Sequence, residues 1–320
     1  MEQEDHELFL PLVEEEDICL PLPINVVSRY WNIELSMAEA KETAKKYSGF
    51  SGSILIEGIE SAERQGLTCK IVHSSLSELK KVIDSGIPPI VILPGIPEIT
   101  QHASIITGYN DEEKTILHYI QKGNQEGEQQ EGVIPQEIFE KEWAEEGKLL
   151  ITLAPSEILD SLKLDNNSEN KSNRLCFISE RQNILKDNTG ALESLKEAIK
   201  LVPTNPTALY LSGAIMNQQN SPECVSFYEK CLEINNRSYL AYSGLGNFYL
   251  KTNQFEKAET YYTQAIEINP KRSAKIYKNR AYIRQKQNKD SDAKDDLKSY
   301  LKYFPKAPDR GVIEQAIREM

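Results

Sequence analysis

The sequence predicts an α+β domain over residues 9–156, followed by an all-α solenoid of stacked helical hairpins over residues 172–320. Three observations predict it. Short β-branched runs bounded by glycine and proline alternate with helical-period segments in the first half. A polar, asparagine-rich stretch, LKLDNNSENKSN (162–173), has no periodicity and reads as linker, placed at 157–171. The second half then repeats itself at an offset of 34 residues, which means helical hairpins that bury their faces by stacking.

The first eight residues form an acidic tail. Proline is tolerated in a helix only in the first turn, so Pro21 and Pro23 place a helix start at about Leu20. Ile24, Val27 and Trp31 share one face of that helix and can bury it. SMAEAKETAKKY (36–47) and SLSELKKVIDSG (75–86) carry apolar residues at helical spacing behind a serine, predicting two further helices. PIVILPG (89–95) and ASIITGY (103–109) predict strands. Helices therefore come first and strands later.

In the second half, LSGAIMNQQNSPECVSFYEKCLEINN (211–236) lies over LGNFYLKTNQFEKAETYYTQAIEINP (245–270) without a gap. Ala258 recurs as Cys224, Ala265 as Cys231, and Tyr261–Tyr262 as Phe227–Tyr228. A third unit follows after 35 residues with Ala293 and Pro305, and an earlier second helix supplies Ala191, Ala198 and Pro203. Small and aromatic positions recurring together suit close helix packing. The pattern resembles the tetratricopeptide repeat family over residues 172–305, with PDRGVIEQAIREM as a capping helix. The resemblance implies a groove for a protein or peptide. Asn217, Asn247, Lys251, Lys278 and Lys286 are candidates to line it, or are simply solvated polar residues.

Composition narrows the function. The net charge is −12, and no basic stretch emerges that could displace counterions from a nucleic acid, so no nucleic-acid partner is expected. No run of apolar residues reaches membrane-spanning length, and the acidic start lacks the plan of a secretory signal, so a cytoplasmic location is expected. Five scattered cysteines form neither a disulfide framework nor a thiolate metal site, and no cofactor or metal is expected.

Cys19 stands at the start of the first helix. Unpaired amides and the positive end of the dipole there favour a thiolate, although free cysteine is also a common core residue. A nucleophilic thiol needs a base, and His102 enters a strand where its ring could face the helix end.

These residues carry a second resemblance. DICLPLPINVVSRYW (17–31), AERQGL, GIPPIVIL, the His102 strand with its GYND turn, and IPQEIFEKEWAEEGKLLITLAP are similar, in order, to the C39-like cysteine peptidases of papain-like fold. The resemblance covers most of residues 9–156 and includes Phe139 and Trp143 of the family's late helix. It implies Cys19 as nucleophile, His102 as general base, and the Cys19 backbone N–H as an oxyanion donor. Three positions depart from the family. Glu14 stands nearest the oxyanion-hole glutamine, His118 stands where an aspartate or asparagine orients the base, and Leu20 replaces a glycine. Asn110 and Asp111 are substitutes for the orienting group or turn residues. The sequence thus supports a cysteine peptidase whose repeats recruit protein, a transferase using the same thiol, or an impaired peptidase kept as a protein-binding adaptor.

Overall fold

Pro21 has no N–H to lose at a helix start, and it caps α1 (Leu22–Tyr30), whose Ile24, Val26 and Val27 are fully buried. The computed structural model describes residues 6–11, 21–47, 54–95, 101–120, 130–162 and 167–320. Ser36 caps α2 (Met37–Lys46) by accepting from the Glu39 amide, and α3 (Leu55–Arg64) follows. β1 (Thr68–His73) precedes α4 (Leu76–Asp84), which opens on a capping box. The Ser75 hydroxyl accepts from the Glu78 amide, and the Glu78 carboxylate accepts from the Ser75 amide. Next come β2 (Ile90–Pro94), β3 (Gln101–Asn110), β4 (Thr115–Ile120), β5 (Gln130–Pro135), α5 (Gln136–Glu145) and β6 (Leu149–Ala154). The six strands form one sheet in the order β1-β6-β2-β3-β4-β5. β6 is antiparallel to β1 and β2, and β4 is antiparallel to β3 and β5. Strand β1 thus falls between helices α3 and α4, so the expected order of helices before strands is corrected to an interleaved one.

Contacts divide the chain into two compact units. The first comprises residues up to Leu93, Ala103–Trp143 and Gly147–Ala208; the second comprises Pro94–His102, Ala144–Glu146 and Leu209–Met320. In the first unit, one core gathers Ile24 and Val27 with Ile59, Ile71, Ile105 and Ile151. Another gathers Leu79, Ile83, Val91, Ile106, Phe139 and Trp143. Phe139 and Trp143, one helical turn apart, are fully buried, and the Trp143 indole N–H donates to the Leu149 carbonyl at 2.9 Å.

The stretch expected to link the two halves is largely helical, in α6 (Ser156–Ser161) and α7 (Asn167–Ile184). Its polarity misled because its polar groups are used in place. β1 is an edge strand, and α7 supplies what a further strand would. Asn170 Oδ1 accepts from the Ile71 amide, Asn173 Nδ2 donates to the Ile71 carbonyl, and Glu169 Oε1 accepts from the His73 amide (2.9, 2.9 and 2.6 Å). Arg174 and Arg181 pair with Glu63 and Glu60 of α3. Helix α8 (Asn188–Leu201) packs on α7 through Ala191 and Ala198, with Ser172 Oγ donating to the Ala198 carbonyl at 2.8 Å. Asn173→Leu therefore strands the Ile71 carbonyl of β1 and removes one of Asn205's bonds. It is expected to cost about 2 kcal/mol, measured by denaturant unfolding followed through the first unit's tryptophans, Trp31 and Trp143.

The helices α9 (Pro206–Gln218), α10 (Cys224–Ile234), α11 (Tyr239–Lys251), α12 (Phe255–Ile268), α13 (Ala274–Lys286), α14 (Asp290–Tyr303) and α15 (Arg310–Glu319) supply the second unit from Leu209 onward. The recurring small residues are its contact points: Cys224, Cys231, Ala258, Ala265 and Ala293 are all fully buried. Gly246 of α11 meets the Tyr262 ring so closely that an added Cβ would overlap it, and Tyr262 is itself fully buried. Alanine gains about 1 kcal/mol over glycine in a helix interior, but overpacking costs about 1–3 kcal/mol. Because Tyr262 cannot swing away, Gly246→Ala is expected to lower the melting temperature of the second unit.

Candidate functional site

The catalytic candidates centre on β3. Successive side chains of a strand alternate between faces. Ile105 lies in the core that contains α1, and Ile106 in the core that contains Phe139 and Trp143. Across the ladder, His118 stands opposite Ile106, and its Nδ1 is hydrogen-bonded to Ser104 Oγ at 3.3 Å. The strand period places His102 in the series of Ser104 and Ile106, and its surface is exposed. The protein mass around the ring nevertheless lowers its pKa by desolvation. A hydrogen bond to the Pro94 carbonyl opposes that shift, and the charge of Arg272 adds to it. The ring is thereby held in the neutral form, with one nitrogen engaged.

Cys19, Glu14 and Leu20 lie outside the described residues. The nearest described neighbour, Pro21, is pressed against Gly58 of α3, where an added Cβ would come within 2.8 Å of the proline ring. Asn110 and Asp111 serve the turn after β3: Asn110 Oδ1 accepts from the Glu113 amide at 2.9 Å, and Asp111 pairs with Lys80. The four described cysteines, Cys69, Cys176, Cys224 and Cys231, are buried free thiols whose pKa values burial raises. Among the described residues, no cluster of three histidine, cysteine or acidic groups could hold a metal, and no helix is long and apolar enough to cross a membrane.

Residues 1–151 match the Peptidase_C39 like family, and residues 239–272 match the tetratricopeptide repeat. The chain joins a C39-like peptidase-family domain to tetratricopeptide repeats. Anaphase-promoting complex subunit 3 of Schizosaccharomyces pombe is 33% identical over 103 residues, which are 32% of this chain and 15% of that protein. The chain thus spans about 15% of the length of this curated relative. Among solved structures, PilF of Pseudomonas aeruginosa is similar at 16% identity and a TM-score of 0.44, covering 48% of this chain and 72% of that one. MamA of Desulfovibrio magneticus RS-1 is similar at 16% identity and a TM-score of 0.39, covering 54% and 92%.

Three of the five groove candidates meet at one cavity of the repeat unit. A cavity of about 380 Å³ is lined by Asn217, Asn247 and Lys251 together with Tyr210, Tyr228 and Leu240. These polar groups are partly spent on one another. Lys251 Nζ donates to the Asn217 carbonyl and side-chain oxygen (3.1 and 3.3 Å), Asn217 Nδ2 donates to the Gly244 carbonyl, and Asn247 accepts from the Tyr262 hydroxyl. Lys278 and Lys286 are not among the residues lining this cavity. Lys278 pairs with Asp309 at 2.5 Å, and Lys286 lies over the Tyr282 ring.

Two features escaped the sequence reading. In the second unit, Glu145 and Glu146 share one guanidinium nitrogen: Arg272 Nη1 lies 3.3 Å from the first and 2.6 Å from the second, with all three side chains buried. Asn269 donates to Glu145, Gln101 donates to Glu146, and the Tyr239 ring lies under the guanidinium. Adjacent glutamates at a helix end read as solvated, and only their distant partner reveals otherwise. The second feature corrects the expectation that no basic stretch emerges: residues 271–289 hold eight lysines and arginines and no acid.

Proposed function

We propose that this protein is an adaptor whose C39-like domain binds polypeptide without efficient turnover, and whose repeats hold a protein partner. The observation that carries the reading is the place of His102. A general base must reach the proton it takes, and the strand period sets His102 with Ile106, away from the series that packs with α1. Two substitutions support the same reading. A carboxylate at Glu14 would repel a developing oxyanion, and an imidazole at His118, unlike the aspartate of the family, supplies no negative charge with which to stabilise an imidazolium. The scaffold residues meanwhile keep the family pattern.

The test is the pH dependence of Cys19 alkylation, with and without His102→Ala. The four described cysteines are buried thiols, so a mild reagent reports on Cys19. The expected thiol titrates near its ordinary value of about 8.5 and is indifferent to the substitution. A thiolate titrating below about 7 that shifts upward in His102→Ala would instead establish an activated pair, and with it the peptidase.

A further inference from the structure

We infer that the exposed face of α13 docks an acidic peptide segment of a protein partner. The inference rests on the proposed adaptor function and names the chemistry of what the repeats hold. Lys271, Lys275, Lys278, Tyr282 and Lys286 follow one another at spacings of four, three, four and four residues, which confines them to one stripe of the helix and its N-terminal approach. All five are exposed. The stripe is roughly 22 Å long at 1.5 Å per residue, the span of about seven residues of extended peptide.

The remaining cations of this segment face acids of the protein. Arg272 serves Glu145 and Glu146, Arg280 forks onto Asp296 at 3.0 and 2.7 Å, Arg284 reaches Glu259 and Asp296, and Lys289 reaches Glu259. On the stripe, Lys278 pairs with Asp309. Among the described residues, no acidic side chain pairs with Lys271, Lys275 or Lys286, so their charge is available to a ligand. Tyr282, 48% exposed, stands among them with Lys286 Nζ 5.4 Å from its ring centroid and its ring edge against Phe255. An aromatic flanked by lysines suits a peptide with an apolar side chain between carboxylates: the ring takes the former and the ammonium groups the latter.

Charge balance favours a short acidic peptide over a nucleic acid. Residues 209–320 carry 18 lysines and arginines against 13 acids, whereas residues 1–208 carry 19 against 36. A long polyanion meets the repulsive field of the whole chain, while a few carboxylates meet the local stripe.

The experiment uses the full chain and fluorescence anisotropy. The probes are a labelled twelve-residue peptide of glutamates interspersed with phenylalanine and serine, its glutamine counterpart, and a twelve-nucleotide single-stranded DNA. The glutamate peptide is expected to bind, the glutamine peptide to bind at least tenfold more weakly, and Lys275→Glu/Lys286→Glu to lose roughly tenfold at low salt and to fall less steeply with added salt than the wild type. Lys230→Glu/Lys302→Glu makes the same change of charge on exposed lysines of α10 and α14, and is expected to leave binding within about twofold. Equal thermal unfolding of both variants shows that the stripe variant is folded. Equal binding of the two peptides, or equal losses in both variants, would overturn the stripe as the determinant while leaving the adaptor reading intact. Tighter binding of the DNA would overturn the peptide assignment. Absence of all binding would overturn the inference, and the thiol titration would still decide the adaptor reading on its own.

Discussion

Arg272→Met is expected to destabilise the second unit by about 3–5 kcal/mol at pH 7.5, the largest loss foreseen for a single substitution here. The reason lies in what it leaves behind. Glu145 and Glu146 side chains are each 2% exposed, and the guanidinium bridging them is their shared cation. Methionine fills much of the volume and still packs on Tyr239, so the packing loss is small and the electrostatic one remains. Arg272→Lys keeps the charge but gives up the flat guanidinium that lies on the Tyr239 ring, and is expected to cost less than Arg272→Met. Hydrogen-exchange protection of the α11–α13 amides reads this directly, because the tryptophans, Trp31 and Trp143, both belong to the first unit. A loss below about 1 kcal/mol would mean that both carboxyl groups are neutral or hydrated in the folded chain, and would remove the basis for treating the cluster as ionic.

What could be read from the sequence follows from how each signal is encoded. The start of α1 was legible because proline leaves one permitted helical register. The expected start at about Leu20 and the observed start at Leu22 differ by less than a turn. Ala258 and Ala265 were legible because a 34-residue period makes each repeat predict its neighbour, and every small residue so predicted is buried. Helix α7 was not legible. Its apolar signal is thin because Asn170, Asn173 and Glu169 bond the edge of β1 instead of covering it with apolar surface, and polarity used for bonding looks like polarity left for solvent. Cys19 and His102 were legible as residue types, but the face of His102 was not, because facing depends on strand register. Only the burial of Ile105 and Ile106 in different cores resolves that register. The lysine stripe was hidden by the chain-wide charge of −12, an average over two parts of opposite sign.

The second large effect concerns pH and has a sign that surface carboxylates do not share. Burial is the leading cause that pushes the Glu145 carboxyl up to about 7. The negative charge of Glu146 works in the same direction, and the amide of Asn269 and the charges of Arg272 and Arg237 oppose it. Burial likewise raises the pKa of Glu146 against the pull of Arg272 and Gln101. A carboxyl whose folded pKa lies above its unfolded value binds its proton more tightly in the folded state. Its contribution is therefore full below about pH 4.5 and is lost as pH rises through about 7. At 1.36 kcal/mol per pH unit, the second unit is expected to lose about 3 kcal/mol of stability between pH 5 and pH 8 from this group. Glu145→Gln abolishes the titration, leaves one carboxylate facing one guanidinium, and is expected to flatten that slope and raise stability at pH 8. Arg272→Met acts in the opposite direction at the same pH, so the pair of variants separates the cost of a buried anion from the worth of its cation. A wild-type profile that rises from pH 5 to pH 8, or one that Glu145→Gln leaves unchanged, would show that Glu145 is ionised and compensated throughout, with Arg272 neutralising both glutamates.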